Sequence, residues 1–230
     1  YIYFARPDSV IDGVSVYDAR IKAGRFLAKD SPVEADIVIG VPESGNCAAM
    51  GYSLESGIPY GIGFYKNGYV GRTFIKPKQK SRESAVGVKL NPIREAVQGK
   101  RVIMVDDSIV RGTQLRETTE FLYESGAKEV HIRPACPPLL YGCKYLNFSR
   151  TSSEMELITR RILKEIADED KKIDLKAYVN PDSFEYNDMV ERIGKQLNFT
   201  SLRFNRLDDM MDAVGIDKDK LCTYCWDGRE

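Results

Sequence analysis

The chain has 230 residues, 43% of them hydrophobic and 30% charged, and its 34 basic residues are matched by 34 acidic ones. That balance excludes a general nucleic-acid or membrane-surface binder, local basic patches apart, and no apolar run approaches the ~20 residues of a membrane helix. No signal peptide opens the sequence, and an odd set of cysteines (Cys47, Cys136, Cys143, Cys222 and Cys225) points to a reducing, cytoplasmic compartment.

The sequence opens at Tyr1 without a Met, directly in "YIYFARP", which reads as a strand and a turn; the expectation is a piece of a longer protein. Residues 35–42, "ADIVIGVP", form a continuous apolar run of the kind buried on both faces of a sheet. Residues 45–56 are expected to be helical, and residues 58–64 and 69–75 to be strands around a Lys-Asn-Gly turn. Residues 76–89 are polar and lack apolar periodicity, as in a mobile loop. A helix near residues 92–97 leads to a strand at 102–105 and a helix at 113–125, with Gly126 as its C-cap. Residues 129–133 form one more strand, stopped by Pro134. This alternation predicts an α/β fold, a mainly parallel sheet with helices on both faces.

Beyond about Pro137 the pattern changes. Ser153 and Glu156 match a capping box that would open a helix running to about Ala167. The run "DEDKKID" reads as a solvated charged segment, and two amphipathic stretches follow at 186–197 and 207–214. The expected organisation is a sheet domain over residues 1–150 and a C-terminal helical appendage over 151–230 packed on it.

The chemistry concentrates in "RVIMVDDSIVRGTQ", residues 101–114. Strand, turn, then helix puts Ser108, Ile109, Val110, Arg111, Gly112 and Thr113 at the carboxyl end of a parallel strand, where open α/β sheets bind ligands. Free amides at the helix start and a dipole of roughly +0.5 charge suit a phosphate. Gly112 lets the backbone come close and Thr113 adds a hydroxyl. Asp106 and Asp107 are too anionic to face that phosphate; they suit Mg²⁺ or sugar hydroxyls. A phosphorylated ribose has both parts. Two Asp at a strand end also arise as a helix cap or an Arg pair, so the pair alone is weak and the whole string is specific.

A second phosphate loop is expected at "VPESGN", where Ser44, Gly45 and Asn46 would offer amides to a diphosphate and Ser44 a metal contact; alone, it is as well read as an ordinary helix N-cap. Cations follow. Lys66 and Arg72, with Tyr69 between them, and then Lys76, Lys78, Lys80, Arg82 and Lys89 read either as solvated surface or as a lid that closes on a polyanion and excludes water. Lys66, Arg72 and Lys89 are the candidate catalytic cations.

The string "VDDSIVRGT" resembles the phosphoribosyl diphosphate (PRPP) motif of type I phosphoribosyltransferases. Together with "YIYFARPDSVIDG", "GVPESG" and "KNGYVGRTFI", in this order and spacing, it closely resembles the synthase part of the glutamine PRPP amidotransferases, from Tyr1 to about Tyr145. The resemblance implies the type I phosphoribosyltransferase fold. It implies attack of ammonia on the anomeric carbon of PRPP, with loss of diphosphate, giving 5-phosphoribosylamine, the first step of de novo purine biosynthesis. It implies Mg²⁺ at Ser44, Asp106 and Asp107, feedback by purine nucleotides, and a homo-oligomer, a tetramer in the family. No protein nucleophile is needed; the only His, His131, and Cys47 are expected in the core. The family's glutaminase domain is absent from this sequence, so free ammonia would be the nitrogen source.

Some members carry a structural 4Fe–4S cluster, and the resemblance implies Cys143, Cys222 and Cys225 as ligands, with the fourth just before Tyr1. A zinc site or free thiols are the alternatives. Residues past Pro137 depart from the family pattern. Two rival functions stand beside the synthase: a phosphoribosyltransferase that salvages a base, and a non-catalytic PRPP or nucleotide sensor. Neither nucleic acid nor membrane is an expected partner.

Overall fold

The computed structural model describes residues 1–66, 90–145, 154–167 and 173–229. A short hairpin of β1 (Val10–Ile11) and β2 (Val14–Ser15) runs directly into α1 (Val16–Asp30), whose first turn is capped by Ser15 Oγ accepting from the Asp18 amide at 3.2 Å. Then come β3 (Ile37–Gly40), α2 (Asn46–Ser56) and β4 (Tyr60–Gly61). An antiparallel ribbon of β5 (Phe64–Lys66) and β6 (Leu90–Pro92) stands apart from the main sheet. The chain continues through α3 (Arg94–Val97), β7 (Arg101–Asp106), α4 (Thr113–Glu124) and β8 (Glu129–Pro134). It closes with α5 (Ile158–Ile166), α6 (Phe184–Gln196), β9 (Ser201–Leu202), α7 (Leu207–Val214) and α8 (Tyr224–Asp227).

The main sheet has the order β4-β3-β7-β8-β9 with every pairing parallel, and helices cover both faces. Strand alternation divides its core. Ile37, Ile39, Val102, Met104, Val130 and Ile132 face one way, into a cluster with Leu115 and Leu122 of α4, Ile158 and Ile162 of α5, and Met189 and Ile193 of α6. Val38, Ile103 and Val105 face the other way, against Leu27 of α1 and Ala48, Ala49 and Tyr52 of α2. The register pairs Gly40 with Val105, so the loops leaving β3 and β7 start side by side.

Several sequence expectations change. No strand forms in residues 1–7; their backbone is held instead by the buried Arg20, whose guanidinium donates to the carbonyls of Tyr1 at 2.8 Å and Ala5 at 2.7 Å. The helix expected from Ser153 begins only at Ile158, after a single 3₁₀ turn over Glu154–Glu156; Ser153 itself lies outside the described residues. Leu157 is fully buried in an extended conformation, and the Ile158 amide donates to Val110 O at 2.9 Å, so tertiary burial overrides the capping signal. Residues 58–64 divide into β4 and the start of β5, and the strand expected at 69–75 lies outside the described residues. The 15-residue α1 carried no sequence expectation. In the C-terminal stretch, α6 joins the main core and β9 adds the edge strand of the sheet.

Candidate functional site

From Val102 β7 is apolar and buried up to Asp106, where its ladder ends with Asp106 O accepting from the Ala135 amide at 2.8 Å. The Asp106 side chain is only 9% exposed. Its Oδ1 accepts from the Asp107 amide at 2.8 Å and from Ser44 Oγ at 3.5 Å. Asp107 accepts from Ser108 Oγ at 2.7 Å. Burial pushes the Asp106 carboxyl well above the usual carboxylate range, and the Asp107 charge adds to this. Burial also raises Asp107, while the hydroxyls of Ser108 and Ser44 and the charge of Arg20 act against it. Two acids so close in a low-dielectric site resist double ionisation. A divalent cation or a pair of ligand hydroxyls would relieve that conflict. Oxygen donors of this kind, two carboxylates and the Ser44 hydroxyl, fit Mg²⁺.

After the acids the chain prepares a helix mouth. Ile109 is buried at 2% exposure, so the turn is anchored by its side chain and presents its backbone. Gly112, at φ +78°, is the left-handed residue before α4, and Thr113 is the first helical residue. No side chain caps α4, and its first turn holds no acidic residue, so its amides stay available to an anion. Arg111 does not face that mouth as a free cation: its guanidinium pairs with Glu156, and its carbonyl accepts from Arg161 at 2.5 Å.

The loop after β3 lies against this turn. Val41 N donates to Val105 O at 2.9 Å, and Gly45 N to Val41 O at 2.9 Å. A Cβ on Gly45 would sit 2.3 Å from Val105 O, so only glycine lets the loop lie this close to β7. Ser44 thereby reaches Asp106, and Asn46 opens α2, which no side chain caps. Lys66, at the end of β5, pairs with Glu43 of the same loop at 3.0 Å. Ser44, Gly45, Asn46, Lys66 and residues 106–113 thus come together at the carboxyl edge of the sheet. Tyr69, Arg72, Arg82 and Lys89 lie outside the described residues.

Arg20 has no counterpart in the sequence reading of the site. It is 4% exposed, and burial lowers its pKa while the neighbouring Cys47 and Asp107 oppose that. The available signal was a charged residue on the stripe Val16, Arg20, Ala23 and Leu27, which carries the buried side of α1.

The cysteines form a separate cluster. Cys136, Cys143 and Cys225 are buried beside Ile2, Leu139 and Trp226, while Cys222 is exposed. Tyr3 Oη donates to Cys225 Sγ at 3.3 Å. The Cys225 thiol is pushed up to about 11, chiefly by burial, with Cys143 and Cys222 as neighbours. Among the described residues no group of three or more His, Cys, Asp or Glu is arranged to hold a metal ion; of the expected ligands, Cys143 and Cys225 lie in the buried cluster and Cys222 does not. Also among the described residues, no helix is long and apolar enough to cross a membrane.

A parallel sheet carrying an adjacent acid pair, a left-handed glycine and an uncapped helix at one strand end defines the type I phosphoribosyltransferase class, and the solved structures this chain resembles carry that fold. Amidophosphoribosyltransferases match it throughout: that of Methanothermobacter thermautotrophicus at 42% identity over 228 residues, of Mycobacterium tuberculosis at 44% over 230, and of Archaeoglobus fulgidus at 53% over 214. These alignments cover 99%, 100% and 93% of the chain, but 42%, 39% and 41% of the relatives. The glutamine PRPP amidotransferase of B. subtilis, complexed with ADP and GMP, superposes with a TM-score of 0.77 at 40% identity, covering 99% of this chain and 45% of that one. A structure of the allosteric regulatory enzyme of purine biosynthesis gives the same score and identity over 99% of this chain and 44% of its own. No protein-family model matches. The chain belongs to the amidophosphoribosyltransferase family and spans about two fifths of the length of the curated relatives it matches.

Proposed function

We propose that this chain transfers the 5-phosphoribosyl group of PRPP to ammonia. The C1–O bond to diphosphate breaks, a C1–N bond forms, ammonia gives up one proton, and the products are 5-phosphoribosylamine and diphosphate. The observation that carries this reading is one turn joining the buried Asp106 and the half-buried Asp107 to an uncapped helix mouth, with the Ser44 loop laid against it. The amides of residues 108–113 hold the 5′-phosphate, and Asp106 and Asp107 hold the ribose 2′- and 3′-hydroxyls and the metal. Ser44, Gly45 and Asn46 receive the diphosphate. Mg²⁺, when bound, supplies charge neutralisation to the departing diphosphate. Lys66 exchanges Glu43 for that anion, and Tyr69, Arg72 and Lys89 complete its surroundings.

In the longer relatives the ammonia comes from glutamine, and the reaction opens de novo purine synthesis. The B. subtilis relative's complex with ADP and GMP supports feedback by purine nucleotides, and a homo-oligomeric, cytoplasmic enzyme is the accompanying reading. Cys143, Cys222 and Cys225 would supply three of the four thiolates a 4Fe–4S group takes, Cys143 and Cys222 both neighbouring Cys225; iron and sulfide analysis of the anaerobically purified long protein tests this, and absence of iron refutes it.

The functional test is diphosphate release from PRPP and Mg²⁺ with ammonia or with a panel of purine and pyrimidine bases. Ammonia-dependent release that drops on the order of 100-fold in Asp106→Asn and Asp107→Asn supports the synthase. Release with a base alone indicates salvage, and PRPP binding without turnover indicates a sensor.

A further inference from the structure

On the α1/α2 side of the sheet lies a cavity of about 420 Å³ between the end of α1, the start of α6 and the segment leaving β9, and its lining contains none of residues 106–113. Three arginines line it (Arg133, Arg203 and Arg206) against one acid, Asp30. Arg206 is matched, to Asp182 at 2.6 Å and Asp30 at 3.6 Å. The other two are not: among the described residues neither Arg133 nor Arg203 has a carboxylate within ion-pair distance.

Arg133 is the unusual one. It stands on β8 with 2% exposure, and its guanidinium meets only neutral acceptors: Ser31 O at 3.2 Å, Ile132 O at 2.9 Å and Ser201 Oγ at 3.1 Å. Glu129 joins this network only through His131, which bonds Glu129 at 2.9 Å through Nε2 and Ser201 at 2.9 Å through Nδ1. Burial lowers the Arg133 pKa, a contact with the Tyr52 phenol opposes this, and the neighbouring Arg203 charge lowers it further. A buried cation without a counter-ion is costly, and a second cation beside it adds to the cost. An anion in the cavity would offset both.

We propose that this cavity is an anion site for a small phosphorylated molecule, separate from the PRPP turn. Guanidinium forks suit phosphate oxygens. The volume lies within the ~300–1,000 Å³ typical of small-molecule sites, so it holds more than a bare phosphate. Val33, Tyr186 and Phe204 give it an apolar wall for the carbon body of the ligand. The inference stands on the Arg133 and Arg203 geometry and does not depend on the transferase reading.

The test uses ribose 5-phosphate as probe on the whole chain, followed by the arginine Nε–Hε and backbone amide NMR resonances, which separate this site from residues 108–113. Saturable shifts at Arg133 and Arg203 with a Kd below about 1 mM are expected. Arg203→Ala, an exposed position that leaves the fold intact, is expected to weaken the Arg133 response about tenfold and leave residues 108–113 unchanged. No movement at Arg133 at about 10 mM probe, or equal movement with sodium chloride at matched ionic strength, overturns the proposal.

Discussion

Two loops leave adjacent strands at the carboxyl edge of the sheet, and both run into a helix that no side chain caps. They differ in what they bury. The loop after β7 carries two carboxylates held in a protonation conflict. The loop after β3 is close-packed through Gly45 against Val105 O and keeps Glu43 at the surface, paired with Lys66. On the proposed function, the same strand–turn–helix framework gives two kinds of anion seat. One has the means to hold hydroxyls and a cation as well as phosphate; the other offers mostly backbone. A diphosphate ester of ribose needs both at once, and the Ser44–Asp106 contact joins them.

The largest expected effect comes from separating the loops. Gly45→Ala places a Cβ against backbone at 2.3 Å, where no flexible side chain can give way. A loss of about 2–4 kcal/mol in urea unfolding and an about 100-fold weaker PRPP affinity are expected. Unchanged affinity would mean that the β3 loop is only an ordinary helix start.

Next is the acid pair. The native Asp106 pKa lies above its unfolded value of ~3.9, so the ionised group costs native stability at pH values above that and the cost disappears as pH falls below it. Asp106→Asn is therefore expected, in EDTA, to gain ~1–2 kcal/mol at pH 7 and to lose most of that gain at pH 4, while with Mg²⁺ it loses activity. A destabilised variant at pH 7 would show that the carboxylate is well paired without ligand.

Gly112→Ala is smaller. At φ +78° the new side chain is strained, but it meets only the ends of Ile158 and Leu197, which can shift. About 1–2 kcal/mol of stability loss is expected, with PRPP affinity falling alongside as the helix mouth tilts. Smallest is Glu43→Gln. Its pair with Lys66 joins a 77% exposed and a 36% exposed side chain, so stability should change by less than about 0.5 kcal/mol. Freed from Glu43, Lys66 should lower the KM for PRPP about twofold; a raised KM would remove Lys66 from the anion site.

The same contrast explains what was legible in the sequence. The β7 turn could be read because its composition is odd: apolar strand, two acids, then glycine and threonine have no cheaper common purpose. The β3 loop looks like any helix N-cap, and its importance lies in a backbone contact 60 residues away in the chain, between Gly45 and Val105, that no local pattern encodes. β3, β7, β8 and the helices after β3 and β7 followed from period and punctuation. The two-residue β9 was too short to register, and the capping box at Ser153 misled because burying Leu157 outweighed a local cap. Arg20 and Arg133 show a further limit. Each is a charge on the buried face of its element, and its partners come from distant segments.

The central claim is that the two loops form one divided PRPP site, and titration calorimetry of PRPP with Mg²⁺ tests it most directly. One binding event in the wild-type chain, lost in both Gly45→Ala and Asp106→Asn while both variants remain folded by circular dichroism, is the predicted result. Wild-type affinity in either folded variant would contradict the shared site.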